Sequence, residues 1–161
     1  MLNINHTGSG SQMRPDIHPP TEPRIAPHVL VVDDDAEFRD LLNEVLIGEG
    51  YEVAEACDGA EALLALHQVP FDAVILDKNM GGLSGMDILP GLRTAYPETP
   101  IVFITAFGDE HTGTAALGKG AFAFLRKPFR MEELLESLRR ALHGWVPSAH
   151  RNPGVVHGYR Q

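Results

Sequence analysis

An α/β fold is predicted for this chain: a doubly wound, five-stranded parallel sheet with a helix after each strand. Two observations predict it. Short, continuous apolar runs recur, namely Val29-Leu30-Val31-Val32, Ala73-Val74-Ile75-Leu76, Ile101-Val102-Phe103-Ile104 and Ala123-Phe124-Leu125. Strands this apolar are buried on both faces, which is the habit of parallel sheets covered by helices. Between them lie segments whose apolar residues recur at helical spacing, and that alternation builds βαβ units. A third observation concerns chemistry. Each run ends on a polar residue: Asp33-Asp34, Asp77, Thr105 and, one residue further on, Lys127.

The elements follow in order. Residues 28–33 form the first strand. Ala36 to Glu49 is a helix with Phe38, Leu41, Leu42, Val45 and Leu46 on one side, closed by Gly48 and Gly50. Asp34 or Asp35 is suited to cap its start. Tyr51 to Ala56 fits a second strand and Gly59 to Gln68 a second helix carrying Leu63, Leu64 and Leu66. Residues 72–77 make the third strand. Ser84 to Tyr96 is the third helix, in which Pro90 is expected to cause a kink or a late start. Residues 100–105 make the fourth strand, and Glu110 to Gly118 a weak helix because Gly113 and Gly118 each cost about 1 kcal/mol against Ala. Residues 122–126 make the fifth strand and Met131 to Leu142 the last helix, with Leu134, Leu135, Leu138 and Leu142 as its core stripe.

Residues 1–27, with Gly8-Ser9-Gly10-Ser11 and five later prolines, read as a disordered lead-in. Residues 144–161, broken by Pro147, Pro153, Gly154 and Gly158, read as a flexible tail. The domain is therefore expected over residues 28–143, alone between two tails. No apolar stretch approaches the roughly 20 residues of a membrane span, and residues 1–27 lack a signal-peptide core. Cys57 is the single cysteine, so no internal disulfide forms. A cytoplasmic location is the default expectation.

The charge is uneven. Of 22 acids, all but Asp16 and Glu22 lie in residues 28–143; of 13 bases, all but Arg14, Arg24, Arg151 and Arg160 do, which leaves about −11 there. Such a domain is a poor binder of nucleic acid, whose phosphates need Lys and Arg. Protein partners and a cation are expected instead. The eight histidines show no i, i+4 pair of the kind that holds zinc on a helix, and are expected to be solvated.

In a doubly wound sheet of order 2-1-3-4-5, strands 1 and 3 are neighbours at the switch point, where ligands bind. Alone, an Asp pair after a strand is an ordinary turn or helix cap. With Asp77 ending strand 3, Asp33 and Asp34 become part of a carboxylate cluster. Like charges held together repel unless a cation compensates, and Mg2+ binds through one or two carboxylates, water and a phosphate oxygen. Asp77 is the candidate nucleophile, since a carboxylate can take up a phosphoryl group as an aspartyl phosphate. The Lys127 ammonium and Thr105 hydroxyl, each undistinguished singly, are placed to neutralise its equatorial oxygens.

Val31-Val32-Asp33-Asp34-Asp35, Leu76-Asp77, Met80-Gly81-Gly82-Leu83-Ser84-Gly85, Ile104-Thr105-Ala106 and Phe124-Leu125-Arg126-Lys127-Pro128-Phe129 resemble, in order, the motifs of the receiver domain of two-component response regulators. The resemblance covers about His28 to His143 and implies a flavodoxin-like fold. It implies that Asp77 takes a phosphoryl group from a histidine kinase or a phosphotransfer protein. Asp34, Asp77 and the Asn79 carbonyl are implied as Mg2+ ligands, with Asp33 acting partly through water. Thr105 and Phe124 match the family's switch pair, Ala106 the small residue that keeps the site open, and Lys127-Pro128 a cis peptide. Output is expected by contact with a downstream protein, through the face made by helix 4, strand 5 and helix 5. Three departures stand out. Gly81 replaces a usual Pro, Phe124 a common Tyr, and Phe107 is expected to restrict attacking water and prolong the phosphorylated state. Two other readings remain. A haloacid-dehalogenase-like phosphatase would use Asp33 as nucleophile and Asp35 as acid/base, although a later acidic pair and a cap domain are missing. A pseudo-receiver scaffold would dispense with phosphorylation.

Overall fold

The structure, a computed structural model, describes residues 24–106 and 110–145. The element order is β1 (His28–Val32), α1 (Ala36–Gly48), β2 (Glu52–Ala56), α2 (Gly59–Gln68), β3 (Ala73–Asp77), α3 (Gly85–Ala95), β4 (Ile101–Thr105), α4 (Glu110–Gly118), β5 (Ala123–Arg126) and α5 (Met131–Ala141). All strand pairs are parallel and the sheet order is β2-β1-β3-β4-β5, as expected. The lead-in before Arg24, Phe107 and the tail beyond Trp145 lie outside the described residues.

Alternation along the strands divides the core between the two faces. Leu30, Val32, Val74, Leu76, Ile101 and Phe103 point to one side, where Ala62 and Leu66 of α2, Ile88, Leu89 and Leu92 of α3 and Ala116 of α4 cover them. Val29, Val31, Ala73, Ile75, Val102, Ile104 and Leu125 point to the other, under Leu42 and Leu46 of α1 and Leu134, Leu135 and Leu138 of α5. Both faces of the central strands are thus dry, which explains their unbroken apolar sequence.

Register fixes what meets at the C-terminal edge. Val32 pairs with Leu76, Asp77 with Ile104 and Thr105 with Arg126, so the residues that end or follow these strands share one rim.

Two expectations need correction. Pro90 does not delay the start of α3: the helix begins at Gly85 and continues through Pro90 to Ala95. Ser84 and Asp87 form a reciprocal capping box that sets the start, and burial of Ile88, Leu89 and Leu92 holds the helix together. His28 is half-buried rather than solvated. Its ring packs 4.3 Å from that of Phe71 and its Nδ1 lies 3.0 Å from an Arg24 nitrogen. His67, His111 and His143 are exposed, as expected.

Candidate functional site

The acidic pair is presented by the β1–α1 turn. Asp33 is 1 % exposed, its amide donates to the Ala56 carbonyl, and its Oδ1 accepts the Asp35 amide at 2.8 Å. Asp35 caps α1 by accepting from the Phe38 amide at 3.2 Å. Arg39, one residue further along α1, donates to the Asp33 carbonyl at 2.6 Å and reaches Glu55 of β2 at 3.6 Å. The turn is therefore held at both ends, and Asp34 is left exposed at its apex.

Asp77 closes β3. It is 4 % exposed, and its Oδ2 accepts the Asn79 amide at 3.0 Å. The following loop is pinned by Lys78, whose amide donates to the Ile104 carbonyl, and by Gly85, whose amide donates to the Lys78 carbonyl, both at 2.9 Å. A Cβ at Gly85 would overlap the Asp77 carbonyl oxygen, so only glycine lets α3 start this close to the strand end.

Lys127 follows β5 across a cis peptide to Pro128. Its Nζ lies 3.2 Å from Asp33 Oδ2, 94 residues away in sequence, and 3.5 Å from Asp77 Oδ1. Carboxylate oxygens of Asp33, Asp34 and Asp77 all lie within 4.8 Å of one another. Three carboxylates and one ammonium leave a negative surplus in a mostly buried site. Burial first, and then the Asp33 charge, push the Asp77 carboxyl up to about 6, against the pull of Lys127. Burial lowers the Lys127 ammonium, but Asp77 and Asp33 outweigh it and the net shift is upward. A hard divalent cation with oxygen ligands suits this donor set, since it would supply the missing positive charge.

Thr105 is fully buried, and its hydroxyl donates to the Leu125 carbonyl of β5 at 3.4 Å, a long bond. The ring of Phe124 is half-buried against α4, where Gly113 leaves the space it fills. The structure thus brings Asp33, Asp34, Asp77, Asn79 and Lys127 together, with Thr105 on the same rim turned toward β5. Phe124 stands one strand position before Leu125, away from the carboxylates.

Sequence reasoning missed three contributors. Arg39 gave no signal, because an Arg on a helix is ordinarily a solvated charge. Phe38 looked like one more residue of the α1 stripe, yet its ring centroid lies 4.2 Å from Lys127 Nζ. Lys78 reaches Thr112 of α4 at 3.2 Å and so links the loop after Asp77 to the weak helix.

The chain is similar to known proteins over most of its length. The family model described as "Response regulator receiver domain" matches residues 29–139. FleR, a response regulator protein of Pseudomonas aeruginosa, is 36% identical over 133 residues, which are 82% of this chain and 28% of that protein. MtrA of Mycobacterium leprae, a DNA-binding response regulator, is 40% identical over 114 residues, 71% of this chain and 50% of that protein. The chain thus spans between about a quarter and a half of the curated relatives it matches. Among solved structures, the chemotaxis protein CheY4 of Vibrio cholerae superposes with a TM-score of 0.68 at 35% identity, covering 73% of this chain and 99% of that one. NtrX of Brucella abortus, in complex with ADP, gives 0.71 at 35%, covering 74% and 28%.

Proposed function

The chain belongs to the response regulator receiver family, and from that membership we propose that it is a phosphorylation-operated binding module with Asp77 as phosphoacceptor. The observation that carries the reading is the Lys127 ammonium lying between Asp33 and Asp77 beside a three-carboxylate cluster. The donor is a phosphohistidine on a histidine kinase or a phosphotransfer protein. An Asp77 carboxylate oxygen forms the new bond to phosphorus, the phosphorus–nitrogen bond breaks, and the imidazole leaves with the bonding pair and takes up a proton. Lys127 exchanges a carboxylate for a phosphoryl oxygen. The Thr105 hydroxyl gives up its long bond to the Leu125 carbonyl and turns to another.

Mg2+ would be held by Asp34, Asp77 and the Asn79 carbonyl, with Asp33 partly through water, and would neutralise charge on the transferring group. The domain of residues 28–143 then signals through protein contact on the α4–β5–α5 face. Thr105 and Phe124 couple that face to the site. The segments 1–27 and 144–161 flank it. The cytoplasm is the compartment in which such a donor is met. With about −11 of charge the domain itself does not bind nucleic acid, and its own part in catalysis is limited to assisting phosphorylation and loss of the phosphoryl group.

The test is labelling with acetyl phosphate and Mg2+, read by intact mass and peptide mapping. One phosphoryl group on Asp77, abolished in Asp77→Asn, is expected. Labelling that survives Asp77→Asn and vanishes in Asp33→Asn would assign attack to Asp33, as in a haloacid-dehalogenase-like phosphatase. The use of Asp35 as an N-cap already weighs against its acid/base role in that chemistry.

A further inference from the structure

The site lysine has a third neighbour that carries no charge. Lys127 Nζ stands 4.2 Å from the centroid of the Phe38 ring, while Asp33 Oδ2 and Asp77 Oδ1 hold it at 3.2 and 3.5 Å. Phe38 is itself fixed on two sides. Its amide is the donor that Asp35 caps at the start of α1, so the turn presenting the acidic pair also places the ring. Phe129 meets it edge to face, with centroids 6.1 Å apart and planes at 79°, which sets the positive edge of one ring against the negative face of the other. Two segments more than eighty residues apart, the first turn of α1 and the end of β5, thus assemble an aromatic seat under one ammonium.

We propose that Phe38 is a positioning residue for phosphoryl transfer, its ring face holding the Lys127 ammonium at the site while the carboxylates exchange it for the incoming phosphoryl group. The proposal rests on the reading of Asp77 as phosphoacceptor. The side chain of Lys127 is one-third exposed, with a flexible four-carbon stem and water competing for its head. During transfer its links to Asp33 and Asp77 are the ones that must be loosened. A ring face attracts the cation through its quadrupole but offers no acceptor oxygen. It therefore retains the ammonium without competing for the salt link that the phosphoryl oxygens need, as a further carboxylate would. If Phe38 were only packing, any apolar residue of similar volume would serve.

The experiment uses the full chain, acetyl phosphate and Mg2+, with the initial rate of Asp77 labelling as readout. Phe38→Leu is expected to slow labelling roughly 3- to 30-fold, the span of a cation–π contact of this kind, and Phe38→Tyr or Phe38→Trp to restore it. Phenylalanine analogues with one, three and five ring fluorines at position 38 keep the shape and drain the face of charge. The rate is expected to fall stepwise along that series, which also covers the case of a Phe38→Leu variant that folds poorly. In a Lys127→Ala background, Phe38→Leu is expected to add no further loss. Equal losses with and without Lys127, or a rate indifferent to fluorination, would overturn the proposal and leave Phe38 as packing. Absence of any label on wild-type Asp77 would instead overturn the phosphoacceptor reading beneath it.

Discussion

Asp77 holds a charge where charge is costly. Its folded value, about 6, lies above the ordinary 3.8, because of burial and then Asp33. The folded state therefore binds a proton more tightly than the unfolded chain does. Above about pH 6 both states are ionised and the penalty is present in full; as pH falls from about 6 toward 4 the folded carboxyl protonates first and stability rises. Asn keeps the shape without the charge and leaves Lys127 its link to Asp33. In the absence of divalent cations, Asp77→Asn is expected to stabilise the protein at pH 7.5 by about 1–3 kcal/mol, a tenfold difference in proton affinity being worth about 1.4 kcal/mol. The gap should close as pH falls toward 4, as measured by urea unfolding at each pH. A site strained for function and relieved by removing it is a common trade.

At the scale of elements, α3 and α4 depart from ideal helices for different reasons. Pro90 is exposed in the interior of α3 and lacks the amide that would bond one turn back. Pro90→Ala is expected to stabilise the fold by about 1–2 kcal/mol in thermal or urea melts, with the loss of rigidity in the unfolded chain offsetting part of the gain. For α4 the opposite holds. Its inward positions are Gly113 and Ala116, both small, and a Cβ at Gly113 would overlap Phe124 Cδ2 and Cε2. Gly113→Ala gains about 1 kcal/mol of helix propensity but forces the ring from its seat. Overpacking costs about 1–3 kcal/mol, so the expected result is a net loss of up to about 2 kcal/mol, with the Phe124 ring resonances displaced in NMR spectra. Glycine here is a notch for the aromatic residue, which the low helix propensity of the segment hid from view.

At the scale of the whole molecule, a domain of about −11 gathers three carboxylates at one rim of its sheet. Mg2+ that binds only the folded state should stabilise it by about 2.7 kcal/mol at a concentration 100 times its dissociation constant. A thermal melt with and without Mg2+ is expected to show this rise for the wild type, and little of it for Asp34→Asn. The five-fold alternation, the parallel order and the rim on which Asp33, Asp34, Asp77, Thr105 and Lys127 meet were all legible in the order of residues alone. Unbroken apolar strands permit only a doubly covered sheet, and the residues that end them must then line up. How those groups are supported was settled by packing in three dimensions. Arg39 on the Asp33 carbonyl, Phe38 beneath Lys127 and Gly113 beneath Phe124 are contacts between elements, set by side-chain direction and helix placement. No local periodicity encodes such contacts. The place of Pro90 within α3 was settled there too, because a capping box and three buried side chains outweighed one missing hydrogen bond.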